Sequence, residues 1–375
     1  MDKFKAGVYI NQGYHKSFQP SFINRKWQLE NMEVLQLLSR ADREIGRLDM
    51  YSEYIPNLDL FIKMHVLKEA TQSSKIEGTN TNLEEALLDK EDVPMEKRDD
   101  WEEVQNYISA MNKSIERLKA LPFSSRLLKE VHKELLQGVR GEHKLPGEYR
   151  KSQNWIGGAT IDDATFVPPS YETVPELMSD LEKFIHNDSV FLPDLLKIAL
   201  IHYQFETIHP FLDGNGRVGR LLITLYLVEK KILKQPVLYL SDFFERNRML
   251  YYDNLMRVRQ NNDLDQWFKF FLIGVTETAQ KSIATFDNIM RLQKYVEDKI
   301  STLGSRAAKA QKVINFLYQR PLITASVVGS VTGLTAASSY KLINDLIQLE
   351  LLREITGGKR GKIFVFEKYL GLFYQ

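Results

Sequence analysis

The segment from His209 to Arg220 brings together side chains that suit phosphate chemistry. Gly214 and Gly216 let backbone N–H groups turn towards a bound anion, where a Cβ atom would block the approach. The helix expected to follow would present its positive N-terminus to the same place. This combination indicates a site that holds a polyphosphate and transfers a group at one of its phosphorus atoms.

Four further side chains of this segment have chemistry that fits such a transfer. Arg217 and Arg220 are three residues apart, so they share one helix face and can bind different phosphates. Asp213 is a hard oxygen ligand of the kind that Mg²⁺ prefers. His209 precedes the glycine turn and can take a proton from an attacking hydroxyl. The less specific interpretations are a structural histidine and an ordinary glycine turn.

The whole segment resembles the signature His-Pro-Phe-x-Asp-Gly-Asn-Gly-Arg-x-x-Arg of the Fic (Fido) family, and every fixed position is present. The resemblance implies adenylylation, in which AMP moves from ATP to a protein hydroxyl and pyrophosphate is released. It implies His209 as general base and Asp213 as the ligand of Mg²⁺. The implied ATP-binding residues are Glu77, His209, Gly214, Asn215, Gly216, Arg217, Val218, Gly219, Arg220 and Tyr252. The alternative is a Fic domain that has lost its activity.

Two other regions resemble parts of Fic proteins that surround the nucleotide. Residues 147–171 resemble the hairpin, or flap, that covers the active site, where an edge strand can align an extended acceptor peptide. Tyr251 and Tyr252 with Leu255 resemble the adenine pocket, and Tyr252 is the preferred contact. Arg259 replaces an amide found in some relatives. A surface hairpin and a core pair of tyrosines are the alternatives.

Residues 73–78, Ser-Ser-Lys-Ile-Glu-Gly, match the inhibitory motif Ser/Thr-x-x-x-Glu-Gly/Asn of Fic proteins. Glu77 is expected at the C-terminal end of a helix, where the helix dipole disfavours a carboxylate by roughly 0.3–1 kcal/mol, so a cationic partner would stabilise it. The resemblance makes that partner Arg220 and assigns Ser73 and Glu77 to inhibition within one chain. A solvated glutamate at a helix end is the alternative.

Apolar periodicity predicts a mainly α fold in which the elements that position these residues are helices. The predicted helices cover 26–49, 58–77, 99–119, 124–138, 173–187, 193–207, 215–231, 241–260 and 263–303. Trp27, Met32, Leu35, Leu38 and Ile45 are expected to form the buried face of the first. Residues 139–170, rich in glycine and proline, are expected to form a loop and a β-hairpin. Pro210 should end the preceding helix at His209.

The C-terminal residues from 304 have the pattern of a winged helix-turn-helix domain. Predicted helices at 306–319, 324–331 and 336–349 are followed by strands at 353–355 and 362–366. Residues 305–375 contain ten Lys/Arg and four Asp/Glu, and Lys359 and Arg360 lie at the expected wing. A wing of this kind contacts DNA phosphates. The second helix of the motif carries a single cation near its start, so protein binding or self-association is favoured over DNA binding.

The composition is that of an ordinary globular protein, with 43% hydrophobic residues and a net charge of +1. The absence of cysteine excludes disulfides, Cys-ligated zinc and iron–sulfur clusters. No apolar run approaches the roughly 20 residues that span a bilayer, and the first residues lack a signal-peptide layout. A cytoplasmic protein without a membrane partner is expected.

The sequence therefore predicts a Fic helical core with a small β-hairpin flap, an N-terminal helical region and a C-terminal winged helix. The expected boundaries are 1–98, 99–303 and 304–375. The expected function is Mg²⁺- and ATP-dependent adenylylation of a Ser, Thr or Tyr hydroxyl, inhibited by Glu77. A homodimer and self-modification are also expected. The alternatives are a nucleotide-sensing module that binds DNA or protein, and a Fic enzyme that transfers a different nucleotide.

Overall fold

A computed structural model describes residues 4–55, 58–139, 141–357 and 361–374. The described chain is mainly helical, as predicted. The helices up to residue 301 are α1 (Met32–Tyr54), α2 (Leu58–Ile76), α3 (Leu83–Ala86), α4 (Arg98–Arg117), α5 (Ser125–Leu135), α6 (Val174–His186), α7 (Asp194–Ile208), α8 (Asn215–Glu229), α9 (Ser241–Arg246), α10 (Arg248–Asn261) and α11 (Leu264–Ser301).

Helices α7 and α8 form the centre of the molecule. Every residue of α7 after Asp194 is buried, and so is α8 from Asn215 to Leu227. Both helices have buried residues on all sides, as expected of helices that are surrounded by other elements, and their polar residues are buried as well. Helices α2, α4, α5, α6 and α11 pack around this pair, and they contribute to one continuous hydrophobic core. The turn between α7 and α8 carries the signature segment.

Helix α1 differs from its prediction in its bounds and partly in its buried face. The chain becomes helical at Met32 because the side chain of Asn31 caps the helix, accepting hydrogen bonds from the N–H groups of Glu33 and Val34 at 3.0 and 3.2 Å. The core-facing residues include Leu38 and Ile45, as predicted, but Met32 is 67% exposed. The other apolar residues of that face are Val34, Ala41 and Leu48.

One predicted helix is two helices in the structure. The predicted helix 241–260 is interrupted at Asn247, whose side-chain amide donates to the carbonyl of Phe243 at 2.9 Å. The amide thereby satisfies a carbonyl at the end of α9 and lets α10 begin in a new direction. The remaining predicted helices are confirmed to within about three residues at each end.

An N-terminal β-hairpin was not expected from the sequence. Strands β1 (Gly7–Asn11) and β2 (Lys16–Pro20) pair antiparallel, with Gly7 opposite Pro20. The N–H of Phe18 donates to the carbonyl of Val167 at 2.9 Å, so β2 lies against the predicted flap. The flap itself has a single β-bridge, between Ile156 and Phe166, rather than two extended strands. Pro168 and Pro169 follow the bridge, and they have no N–H groups to extend it.

The C-terminal residues form helices and short strands, and their assignment to a winged helix stays a prediction. Helix α12 (Ala307–Gln319) leads to β3 (Leu322–Thr324), and α13 (Ala325–Thr332) is followed by a turn and α14 (Ala336–Gln348).

 After α14, β4 (Arg353–Glu354) and β5 (Ile363–Val365) form a sheet with β3 in the order β3-β5-β4, and α15 (Glu367–Leu370) follows. The predicted wing residues Lys359 and Arg360 lie outside the described residues.

The C-terminal elements pack directly on α2. The ring of Tyr318 lies 5.3 Å from that of Phe61, centroid to centroid. Arg320 donates from Nε to the carbonyl of Leu87 at 3.0 Å and pairs with Asp89 at 2.9 Å. Helix α2, which leads to the inhibitory motif, is therefore enclosed between the central helices and the C-terminal elements.

Candidate active site

The signature segment begins with a sharp turn at the end of α7. His209 has φ 50° and ψ 60°, in the left-handed region, and its N–H donates to the carbonyl of Phe205 at 2.9 Å. Pro210 disfavours the right-handed helical conformation for the residue before it, which explains why α7 ends here as predicted. The turn directs the chain away from α7 and towards the start of α8.

The side chain of Asn215 closes the loop between the two helices. Its Oδ1 accepts from the N–H of Phe211 at 2.8 Å, and its Nδ2 donates to the carbonyl of Phe211 at 2.8 Å. Asn154 donates to the same carbonyl at 2.9 Å. The side-chain amide of Asn215 thus holds the loop through one donor and one acceptor, and its main-chain N–H lies in the first turn of α8.

A histidine that the sequence analysis did not single out supports the same loop from α5. The Nε2 atom of His132 lies 3.0 Å from the carbonyl oxygen of Asp213, and Nδ1 accepts from the N–H of Gly147 at 2.9 Å. The ring stacks on Phe211 at 3.8 Å. Burial lowers the pKa of His132 to about 4, so the ring is neutral and donates from Nε2.

The first turn of α8 has the geometry that can hold an anion, and this place is called the anion site below. Gly214 has φ 73°, and no side chain caps the N-terminus of α8, so its first N–H groups point outwards. A Cβ atom on Gly216 would lie 2.1 Å from Oε1 of Glu77 and 2.8 Å from Nη1 of Arg220. The glycine is therefore required for the close approach of a carboxylate to this turn.

Arg220 is bound by the segment that contains the predicted inhibitory motif. Its Nε donates to Oγ of Ser73 at 2.8 Å, and its Nη2 donates to the carbonyl of Ser73 at 2.8 Å and to Oε1 of Glu77 at 2.7 Å. Burial alone would raise the pKa of Glu77, but Arg220 outweighs it and holds that pKa below its usual value. Glu77 is thus an anion at the N-terminus of α8.

Arg217 is held by a second carboxylate, which the sequence analysis missed. Its Nη1 lies 3.2 Å from Oε2 of Glu103 on α4, and both side chains are more than 90% buried. The hydroxyl of Thr79 donates to the same oxygen at 3.1 Å. Nε of Arg217 has no hydrogen-bond partner among the described residues, so the guanidinium retains a donor for another ligand.

Asp213 lies at the mouth of the anion site. Its Oδ1 accepts from the N–H of Gly214 at 2.5 Å and lies 3.8 Å from Nη2 of Arg217. The side chain is 45% exposed. Across the described residues no group of three His, Asp or Glu side chains converges on one point. Asp213 fits Mg²⁺ as a single protein ligand, with phosphate oxygens and water as the others.

His209 is a neutral imidazole beside this site. Burial lowers its pKa to about 3, Glu77 opposes this effect, and Arg150 and Arg259 add to it. Within the described chain, its Nδ1 has no hydrogen-bond partner. A neutral ring can accept a proton, and a bound polyphosphate would raise the pKa by adding negative charge nearby.

Glu206 is a buried acid one turn before His209. Burial raises its pKa to about 7, and Arg220 opposes that increase. Its Oε1 has no hydrogen-bond partner in the part of the chain that is described, and a Cβ atom on Gly219 would lie 2.1 Å from it. Gly219 therefore serves the packing of α7 on α8, and Val218 is fully buried. Their assignment to ATP binding stays a prediction.

The two tyrosines of the predicted base pocket have different environments. Tyr251 is 1% exposed, and its hydroxyl lies 2.9 Å from Nε2 of His202. Tyr252 is 38% exposed; burial raises the pKa of its hydroxyl, Glu77 adds to this increase, and Arg220 opposes it. Leu255 is buried. Tyr252 is thus the tyrosine with surface available to a base, and its role stays a prediction.

Two arginines join the flap to the turn at His209 and Pro210. Arg150 is 2% exposed, and its guanidinium donates to the carbonyls of His209 at 3.0 Å and Pro169 at 2.5 Å. Arg259 donates to the hydroxyl of Thr207 at 3.1 Å, and its guanidinium carbon lies 3.8 Å from the centroid of Phe166. The flap is therefore fixed to the residues on either side of His209.

The structure brings most of the predicted site residues to one place. Ser73, Glu77, Gly216 and Arg220 are in contact, and Asp213 and Arg217 lie at the same end of α8. Glu103, His132, Arg150 and Glu206 were missed. No local signal marks the first three, because each acts on a residue more than 50 positions away in the chain.

The architecture defines a mainly helical protein in which the uncapped N-terminus of α8 lies beside two buried arginines. Residues 35–116 match the Fic/DOC family N-terminal domain, and residues 122–227 match the Fic/DOC family. Together the matches cover about half of the chain. The chain belongs to the Fic/DOC family, and the predicted resemblance is confirmed.

Similar proteins with curated names include two adenylyltransferases. A probable protein adenylyltransferase of Aquifex aeolicus is 26% identical over 63% of this chain and 70% of its own length. The protein adenylyltransferase Fic of Aedes aegypti is 32% identical over 38% of this chain. The match spans only 25% of the mosquito protein, so its other regions have no counterpart in the alignment.

Solved structures share the fold. A Fic family protein from Desulfovibrio desulfuricans matches with a TM-score of 0.60 and 20% identity, covering 91% of this chain and 98% of the other. Fic-1 from C. elegans matches with a TM-score of 0.53 and 22% identity, covering 69% and 74%. In the described residues, each helix is too short or too polar to cross a membrane.

Proposed function

We propose that this chain is a protein adenylyltransferase that moves AMP from ATP to a Ser, Thr or Tyr hydroxyl of a protein. The observation that carries the proposal is the anion site, where uncapped N–H groups of α8 and the guanidinium groups of Arg217 and Arg220 converge. The names of the relatives from Aquifex aeolicus and Aedes aegypti support the same activity.

The residues of the site fit each requirement of the transfer. The acceptor oxygen forms a bond to the α-phosphorus, the bond to the β-phosphate breaks, and pyrophosphate leaves. His209 takes the proton of the acceptor hydroxyl at its neutral ring. The N–H groups of α8 and the two arginines bind the phosphates and neutralise their charge. Mg²⁺ held at Asp213 would supply further charge neutralisation.

We also propose that Glu77 inhibits the enzyme from within the chain. Glu77 and Ser73 use three hydrogen bonds of Arg220, and the Glu77 carboxylate lies against Gly216, where a phosphate would bind. With Arg220 engaged, ATP would bind with its α-phosphate out of line for attack. Removal of the carboxylate frees both the guanidinium and the space beside Gly216.

The acceptor protein is proposed to bind along the flap. The N–H of Phe18 already pairs with Val167, so β2 covers one edge of the flap, and an extended acceptor segment would use another edge. Tyr252 is proposed to contact the base of ATP. Self-modification within a homodimer, DNA or protein binding by the C-terminal elements, and a cytoplasmic location are further proposals that rest on the sequence.

The test uses ATP labelled either on the α-phosphate or on the γ-phosphate. We expect the wild-type protein to transfer little α-label to protein, the Glu77→Gly variant to transfer much more, and neither to transfer γ-label. Label from the γ-phosphate would indicate a kinase instead. Other labelled nucleoside triphosphates test the base preference. Transfer that persists in Glu77→Gly/His209→Ala would exclude His209 as the base.

A further inference from the structure

A polar cavity lies beside the middle of α2, next to His65, Lys68 and Glu69. Its volume is about 40 Å³, it is partly open to solvent, and its other walls come from α9, α11, Tyr239 and Phe373. The polar side chains that line it include His65, Lys68, Tyr239, Asp242, Lys281 and Ser282. This volume holds roughly three water molecules, or one small ion with a few oxygen atoms.

The acidic groups of the cavity are already paired within the protein. Asp242 lies 2.9 Å from Lys281 and 3.2 Å from Arg246. Glu69 accepts from the N–H of Ser241 at 3.1 Å, from its hydroxyl at 2.5 Å and from the hydroxyl of Tyr107 at 3.1 Å. The acceptors of the cavity are therefore engaged, and a further cation would find few oxygen ligands.

Two buried polar atoms of the cavity are not engaged. Nε2 of His65 and the hydroxyl of Tyr239 have no hydrogen-bond partner among the described residues, although the two side chains are only 6% and 7% exposed. Lys68 makes only a long contact, 4.0 Å, with Asp242. A buried polar atom without a partner is destabilising, so a ligand that accepts hydrogen bonds from the Tyr239 hydroxyl and from Nε2–H of His65 is favoured here.

We infer that this cavity binds a small oxyanion of the size of inorganic phosphate. Lys68 and Lys281 supply positive charge, and His65 and Tyr239 supply hydrogen bonds. Asp242 is shared among Lys68, Lys281 and Arg246, and the other carboxylate of the cavity, Glu69, accepts hydrogen bonds from Ser241 and Tyr107. A nucleoside triphosphate is much larger than the cavity volume of about 40 Å³. The inference does not depend on the proposed adenylyltransferase activity.

The inference is tested by calorimetric titration of the wild-type protein with inorganic phosphate. The buffer contains about 150 mM NaCl, which screens weak attraction to surface charges. We expect one site. Lys68→Met and Lys281→Met should each weaken binding about tenfold or more, and Tyr239→Phe should weaken it several-fold. Tyr239→Phe removes a single hydroxyl and preserves the packing of the ring, so its result is informative even if a lysine variant unfolds.

Two control variants separate this cavity from other phosphate sites. Lys269→Met changes a lysine of the same helix α11 that pairs with Glu33 instead, and Arg220→Met removes a cation of the anion site. Both should retain phosphate binding. The inference is overturned if the wild-type protein does not bind phosphate, or if Arg220→Met abolishes binding while Lys68→Met, Lys281→Met and Tyr239→Phe leave it unchanged.

Discussion

The guanidinium of Arg217 lies 3.2 Å from the carboxylate of Glu103, and both groups are buried. Together with the pair of Arg220 and Glu77, this contact means that both arginines of the signature segment are bound by carboxylates from the N-terminal half of the chain. The two pairs differ in exposure: the Glu77 side chain is 35% exposed, whereas that of Glu103 is 8% exposed. Glu77 is thus the more easily displaced, and Glu103 is a fixed support.

Removal of Glu103 should therefore cost stability. Glu103→Ala leaves the charge of Arg217 buried without its partner, and we expect unfolding free energy to fall by about 3 kcal/mol. Urea unfolding measures the change, with the exposed Glu116→Ala on the same helix as control. In the Glu77→Gly background, Mg-ATP should restore part of the loss, because phosphate replaces the carboxylate. An equal loss of unfolding free energy in Glu103→Ala and in Glu116→Ala would contradict the supporting role of Glu103.

Arg150 should set the position of the flap relative to the turn at His209 and Pro210. Lysine in its place retains the charge but cannot reach the carbonyls of His209 and Pro169 together. We expect Arg150→Lys to lower kcat for AMP transfer about tenfold or more in the Glu77→Gly background, because small misplacements of reacting groups are costly. Lys151→Met, at the exposed neighbouring position, should have little effect. Unchanged kcat in Arg150→Lys would exclude the positioning role.

Asn215 should act through the loop and not through direct contact with ATP. Asn215→Ala leaves the buried N–H of Phe211 without an acceptor, while Asn154 still serves the carbonyl. The expected cost is about 1–3 kcal/mol of unfolding free energy. Asn261→Ala, on an exposed position at the end of α10, is the control. If both variants unfold at the same urea concentration as the wild type, the amide of Asn215 does not hold the loop.

The buried carboxyl of Glu206 should make stability depend on pH. Its pKa is about 7 in the folded protein and 4.5 in the reference state, so the folded protein keeps a proton that the unfolded chain has released. Stability attributable to this group is present below about pH 4.5 and is lost as pH rises through about 7. Between pH 5 and 8, the free energy of unfolding of Glu206→Gln relative to that of the wild type should therefore rise by up to about 3 kcal/mol. A pH-independent difference would refute the assignment.

The sequence predicted the parts of this molecule that local patterns encode. The turn at His209–Pro210, the helices α2, α7 and α8 and the end of α2 near Gly78 follow from periodicity, proline and glycine. The start of α1 depended on the cap at Asn31, which periodicity does not register. The N-terminal hairpin was missed because its strands are stabilised partly by the distant flap residue Val167.

The supporting residues of the site could not be predicted, because their chemistry depends on distant partners. Glu103 is 114 positions from Arg217, and Arg150 is 59 positions from His209. A glutamate on a polar helix and an arginine in a glycine-rich loop have no local feature that distinguishes them from solvated side chains. Glu103 acquires its role only when α4 packs against α8. Arg150 acquires its role only when the flap packs against the turn at His209.

The central claim is that α8 and Arg220 bind a triphosphate in the place that Glu77 now holds. Calorimetry of Mg-ATP with Glu77→Gly and with Glu77→Gly/Arg220→Ala tests it most directly. The account predicts clear binding to the first protein and affinity at least about tenfold weaker for the second, as expected for a lost charge-assisted contact. An absence of ATP binding to Glu77→Gly, in a protein that remains folded, would contradict the account.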